Sequence, residues 1–271
     1  MSGRVLAGRI VTALAVSFLL VLLVLPVLAL LLRAPVGDIL ARLSEPLVLA
    51  AIRLSLETSL CAAALATILG LPVAYLLATR EFRGKHVLEA IIALPMVLPP
   101  TVAGVGLLLA FGRAGLAGRA LGIFGLSIPF TTTAVVLAEA FIAAPFFIGA
   151  AAAGFREVET RYLDAAATLR AAPVTAFVRV LLPLAAPSVL AGATMCWARA
   201  IGEFGATITF AGNLPGVTQT MPLAVYVALQ TDLDAAIALS VLLVLISLTI
   251  LVGVRAFPFG PAALRGQRRA G

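Results

Sequence analysis

Apolar residues fall along this chain in six long runs, and polar residues collect in the gaps between them. The runs cover residues 10–32, 52–78, 88–111, 131–154, 184–209 and 236–257. A helix needs roughly 20 mostly apolar residues to cross a bilayer, and each run supplies about that many. The pattern predicts an all-α polytopic membrane protein with six transmembrane helices. Pro26, Pro72, Pro95 and Pro145 interrupt the runs, which lipid-embedded helices tolerate when neighbours satisfy the freed backbone groups. Arg53 and Glu57 lie in the first turns of the second run and blur its start.

The first run follows Arg4 and Arg9 and ends at Arg33 without a small-x-small site. A cleaved signal has a core of only about 7–15 apolar residues, so a retained span is expected here. The spans form a single transmembrane domain over 10–257, followed by a basic tail at 258–271 that carries Arg265, Arg268 and Arg269.

The gaps differ in charge. With the N-terminus placed inside, thirteen of the nineteen Lys and Arg residues fall on the inner side. The positive-inside rule then puts both termini in the cytoplasm. One inner gap is short (TREFRGKH), whereas the other, about 155–183, is the longest polar interruption on that side. The outer gap from Gly212 to Asp234 has no Lys or Arg, but has Asp232, Asp234 and the turn-forming AGNLPG.

Composition narrows the class further. Of the 271 residues, 62% are hydrophobic and 11% charged, against about half and about a quarter in soluble domains. Six spans take up most of the chain, so no separate soluble domain is expected. The net charge of +7 is explained by cytoplasmic loops, and no soluble domain is present to carry a nucleic-acid-binding face. Cys61 and Cys196 fall within runs and form no spaced pair, which argues against disulfide or zinc chemistry. They read as small apolar packing residues. His86, the one histidine, sits in a basic loop without a nucleophile or metal partner, which argues against an intramembrane enzyme. An ion-coupled carrier with two symmetric halves would show an internal repeat, and none is visible. The chain reads as one half of a symmetric assembly.

The long inner gap holds the informative motif, YLDAAATLRAAPVTAFVRVLLPLAAP at 162–187. Tyr162 to Ala172 are good helix formers, and Pro173 favours a stop. Ala165, Ala166 and Ala167 give a smooth face that another protein could approach closely. Taken alone, this could equally be an amphipathic helix resting on the membrane. The spacing of Asp164-Ala165-Ala166, Arg170, and then Val180, Leu182 and Pro183 resembles the "EAA" signature of binding-protein-dependent ABC importer permeases. LPMVLPPTVAGVGLLLAFGRAGLAG (94–118) and RAIGEFGATITFAGNLPGVTQTMPLAVY (199–226) resemble the molybdate branch of that family. Tungstate permeases are very similar, and sulfate relatives share GEFG and the AGN-like turn.

The resemblance implies a type I ABC importer permease in the inner membrane of a prokaryote, with a cytoplasmic coupling helix between spans four and five. Asp164, Ala165, Ala166, Leu169, Arg170, Val180, Leu182 and Pro183 would make up the coupling segment. The implied partners are a second copy of the chain, two cytoplasmic ATPase subunits and an extracytoplasmic oxyanion-binding protein. ATP and Mg would be used by the ATPase, and this chain would bind no cofactor. It has no GxxxxGK[ST] stretch. One position departs from the signature: Arg170 stands where glycine is usual. Either the turn has a different geometry here, or Arg170 contacts the ATPase.

Ionisable residues within spans are costly and often functional. Glu139, Arg199 and Glu203 are of this kind, and Thr207 follows them. Arg199 and Glu203 are four residues apart, which places them on one helix face. They either line a translocation path or neutralise each other to fix packing. The hydroxyls of Thr101, Thr131, Thr132, Thr133, Thr207 and Thr209 could bind an oxyanion weakly or back-bond within their own helices. Trp197 reads as a packing residue.

Overall fold

The computed structural model describes residues 3–34, 37, 39, 41 and 44–256. The basic tail at 258–271 and Arg42 lie outside the described residues. All regular structure among the described residues is helical. The helices are α1 (Gly3–Leu32), α2 (Pro46–Thr79), α3 (Lys85–Val97), α4 (Pro100–Phe111), α5 (Gly118–Ile123), α6 (Thr132–Glu157) and α7 (Thr160–Thr168). They continue with α8 (Pro173–Ala176), a π-helical turn (Phe177–Leu181), α9 (Leu182–Ile201), α10 (Gly205–Phe210), α11 (Met221–Thr231) and α12 (Leu233–Ala256).

Among the described residues, five segments are long and apolar enough to cross a membrane, and a sixth counts if α3 and α4 form one bent span. Four expected features are corrected by the structure. The third run is not a straight helix: α3 and α4 meet at 116°. Pro100 has no N–H and holds Pro99 extended (φ −54°, ψ 131°), so the helix cannot continue through Leu98 and Pro99. The fifth run also breaks, at Gly202–Phe204, which leaves α10 as a separate six-residue helix. The gap at 212–234 is not all loop, because MPLAVYVALQT forms α11 with Pro222 in its first turn. Helix α2 starts earlier than expected, at Pro46, and the Arg53–Glu57 ion pair (2.6 Å) sits on its exposed face without interrupting it.

The core is built on α6, which packs along α2 on one side and α9 on the other. Lipid tails are as apolar as leucine, so helices in a bilayer gain from close contact of small residues more than from burying grease. The α6 face holds Ala134, Ala138, Ala143, Ala151 and Ala152, and the α2 face holds Ala51, Ala62, Ala63, Ala66 and Ala74, all buried. Gly154 lets α9 approach closely: a Cβ there would lie 2.3 Å from the Ser188 Cβ. Gly104 does the same for α4 and α10, where a Cβ would meet the Thr209 Cβ at 2.7 Å. Helix α1 lies at the edge against α12, and its apolar side chains are exposed almost throughout. Cys196 packs in the core, but Cys61 is exposed on α2 and packs against nothing central.

The TREFRGKH segment is tied down by charge. The Lys85 ammonium donates to Glu81 at 2.5 Å. Arg156, at the C-terminal end of α6, donates to the Leu77 carbonyl (3.2 Å) and to Glu89 (3.0 Å). One guanidinium thus joins the ends of α2, α3 and α6. His86 is exposed beside Glu89.

Candidate functional site: an exposed turn and a buried polar bracket

The segment expected to receive the ATPase begins where Val158 ends α6 in an extended conformation. The polar interruption is shorter than the sequence suggests, since α8 and the π-turn run directly into α9. Val180 therefore lies in the π-turn, and Leu182 and Pro183 open α9. Ala166 is buried and Leu163 packs against the core, which orients α7. Asp164 and Ala165 are exposed on its other side, and Leu169 is 83% exposed. Arg161 pairs with Glu159 (2.7 Å) and lies over the Tyr162 ring.

Helix α7 ends in a Schellman turn. The Ala171 N–H donates to the Ala166 carbonyl (3.0 Å) and the Arg170 N–H to the Ala167 carbonyl (2.9 Å). This closure needs a left-handed residue after the C-cap, usually glycine. Arg170 takes that position with φ +58°. The first alternative drawn from its sequence, a differently shaped turn, is thereby overturned: arginine adopts the geometry that glycine serves.

Past Pro173 the chain packs through aromatic rings. Phe177 of the π-turn meets Tyr75 of α2 (centroids 5.1 Å) and Phe155 of α6 (5.8 Å), both edge-on. Beside them runs an apolar groove of about 270 Å³ lined by Leu71, Pro72, Tyr75, Pro173, Val174 and Phe177. Through this contact the segment after α7 touches both α2 and α6. Single π-turns within α-helices are frequent at functional sites.

The intramembrane charges form the second region. Glu139 is buried on α6 and accepts a hydrogen bond from the Thr58 hydroxyl (3.0 Å), while its Oε2 has no partner among the described residues. Glu203 is also buried. Its Oε1 accepts the Ala206 N–H (2.9 Å) and so anchors the start of α10. Its Oε2 lies 2.6 Å from Arg199 Nη2, an ion pair not aligned as a hydrogen bond. The two residues do not share a continuous helix face, because α9 ends at Ile201 and Glu203 lies in the break. The pair bridges the break and holds α10 against α4 and α6.

Sequence reasoning missed the other half of this region. Ser55, Thr58 and Ser59 form a buried hydroxyl face on α2. Ser55 accepts the Met221 N–H (2.7 Å), Thr58 donates to Glu139, and Ser59 accepts the Trp197 indole N–H (2.9 Å). One turn of α2 therefore reaches α6, α9 and α11. The signal was present as hydroxyls at i, i+3 and i+4 inside an apolar run. Trp197 has a polar role as well as a packing one. Among the threonines, Thr131 and Thr209 bond to carbonyls three and four residues back (2.6 and 2.9 Å). Thr132 instead crosses to the Val217 carbonyl (2.9 Å). Thr207 is buried with its hydroxyl unpartnered among the described residues, whereas Thr101 and Thr133 are exposed.

These features define an apolar multi-helix chain of membrane-spanning type with one short exposed helix, and the comparisons with known proteins identify its family. Residues 66–257 match the family described as "Binding-protein-dependent transport system inner membrane component", and the chain belongs to that family. It is 43% identical over 237 residues to the "Molybdenum transport system permease protein ModB" of Mycobacterium tuberculosis, covering 88% of this chain and 90% of that protein. It is 32% identical over 246 residues to the "Probable sulfate transport system permease protein cysT" of Nephroselmis olivacea, covering 89% and 87%. In fold it is similar to a solved bacterial ABC transporter involved in the import of alginate, with TM-score 0.74, 13% identity and coverage of 93% and 94%. It is also similar to the MetNI methionine ABC transporter, with TM-score 0.61, 22% identity and coverage of 78% and 96%. The type I importer permease architecture expected from the sequence is the one found.

Proposed function

We propose that this chain is the membrane-spanning subunit of an ATP-driven importer that carries molybdate across the inner membrane. The observation that carries this reading is 43% identity, over 88% of the chain, to a permease named for molybdenum transport. Two copies would form the pathway, with two ATPase subunits below and an extracytoplasmic oxyanion-binding protein above. Both termini would face the cytoplasm, as the distribution of Lys and Arg supports. ATP and Mg would be used by the ATPase, and this chain would hold no cofactor.

A tetrahedral dianion does not cross hydrocarbon unaided, so external work must open a path. ATP binding would draw the ATPase pair together and displace α7. The Tyr75–Phe155–Phe177 contact would pass that movement to α2 and α6, and hydrolysis would reset the path. The coupling segment at Asp164, Ala165, Ala166, Leu169 and Arg170 is the receiving surface in this reading. Val180, Leu182 and Pro183 carry its motion into α9.

Uptake by the reconstituted importer with its own binding protein tests the substrate. Molybdate and tungstate should compete with labelled molybdate at concentrations where sulfate does not. The sulfate relative at 32% identity makes sulfate the second reading, and sulfate competing as well as molybdate would select it.

A further inference from the structure

The end of α6 remote from α7 borders a cavity of about 660 Å³. Two separated stretches wall it: Leu108, Gly112 and Arg113 at the end of α4, and Ser127, Phe130 and Thr131 at the entry to α6. Helix α6 has 26 residues, about 39 Å at 1.5 Å per residue, so the cavity and α7 lie at its opposite ends. Arg113 is the one charged residue in the lining, and no carboxylate shares the space. Its exposed guanidinium has no ion pair or hydrogen bond among the described residues. The Thr131 hydroxyl is already committed to the Ile128 carbonyl (2.6 Å). Arg113 and the exposed Ser127 hydroxyl are therefore the side-chain groups left for a ligand.

One wall is shaped by a residue in an uncommon conformation. Phe130 has φ +61°, a left-handed backbone that disfavours an aromatic residue. Its N–H reaches the Phe210 carbonyl (3.5 Å), and its ring lies over Gly212, where a Cβ would come within 2.9 Å of Cδ1. The AGN turn thus leaves room for the ring that closes this side.

We infer that the cavity is a low-affinity site for a small tetrahedral oxyanion, held by the Arg113 guanidinium and the Ser127 hydroxyl before the anion enters the path between the spans. This rests on the function proposed above, in which the anion arrives at the end of the spans remote from α7. An unpaired arginine in a space without carboxylates favours an anion, and its planar fork of donors meets two oxygens of one ion. The volume sets the strength. At roughly 30 Å³ per water, the cavity admits the ion with much of its hydration shell, so binding is weak and release easy. A conduit needs that balance.

The importer, permease with its own ATPase subunits, is reconstituted in nanodiscs for the test. Binding of labelled molybdate and of labelled sulfate is measured without the binding protein. Saturable binding should weaken about fivefold in Arg113→Gln, with the difference narrowing at high salt. Arg113→Lys should return it to within about twofold, because the charge is kept. Arg119→Gln, which removes a nearby cation outside the cavity lining, should leave binding unchanged. With the binding protein saturating, Arg113→Gln should lower maximal uptake about threefold while that protein docks with unaltered affinity.

Absence of saturable binding of either anion, or binding indifferent to Arg113→Gln, overturns the inference. So does an equal loss in Arg119→Gln, which reduces the effect to loop charge in general. Intact anion binding with weaker docking gives Arg113 to a carboxylate of the binding protein instead. If sulfate binds at Arg113 and is carried while molybdate is not, the molybdate reading fails and the site stands.

Discussion

The exposed turn around α7 and the buried bracket both carry charge, but they satisfy it differently. In the turn, Glu159, Arg161 and Asp164 are exposed, and Arg161 bonds to neighbours one or two residues away. In the bracket, Glu139 finds Thr58 across 81 residues of chain, and Trp197 finds Ser59 across 138. Water screens the first set, so its members are free to serve a partner. Nothing screens the second set, and each lost partner leaves a buried polar group without compensation. The loop is therefore open to functional change, and the bracket holds the helices that such a change must move.

Substitutions in the two regions should separate these roles. Changing Asp164 and Leu169 together to lysine should abolish co-purification of the ATPase subunit and reduce uptake more than tenfold, with the melting temperature of the permease unchanged. Retained assembly and uptake in that variant would remove the receiving role from α7. Glu203→Ala should destabilise the permease by about 2–4 kcal/mol, since it strips a cap from Ala206 and leaves Arg199 partly buried and unpaired. Glu203→Gln keeps the acceptor and should cost less than half as much. Equal losses in thermal unfolding would mean that the cap is irrelevant.

Smaller effects sharpen the comparison. Gly104→Ala should cost about 1–3 kcal/mol in the same assay, because its Cβ meets α10 backbone and Thr209. Thr58→Val should cost about 1–2 kcal/mol by leaving Glu139 without its donor. A change in ATPase affinity without a change in melting would contradict the division for both variants. The smallest effect belongs to Glu81, whose hydrogen bond from Lys85 holds its carboxyl below the usual range. A depressed folded pKa gives stability present above the unfolded value and lost as pH falls through the folded one. Glu81→Gln should therefore change melting slightly at pH 7 and not at all once the pH is below both values. A difference that grows on acidification would reverse this assignment.

Much of the architecture was legible because its causes are local. Run length marked the crossing segments, and the alanines marked α7, which however ends at Thr168 and not at Ala172, while Pro173 opens α8 instead of stopping α7. The third run was expected to be one continuous span over 88–111, and its break at Pro99–Pro100 emerges only with the 116° bend. The break at Gly202–Phe204 was less legible. GEFG lies inside a run apolar enough to continue as helix, and only the capping of Ala206 by Glu203 shows why it does not. Arg170 was legible as a departure, while its left-handed backbone was not.

By itself, the sequence determined the membrane class, the number of apolar crossings within one and the position of the protruding helix. These follow from runs of 10 to 30 residues, where hydrophobicity and proline act on nearest neighbours. Only the tertiary structure decided that Glu203 ends a helix, that one turn of α2 serves three others, and that Arg170 is strained. Those outcomes depend on hydrogen-bond partners far apart in the chain and on one backbone torsion, neither of which composition or spacing encodes.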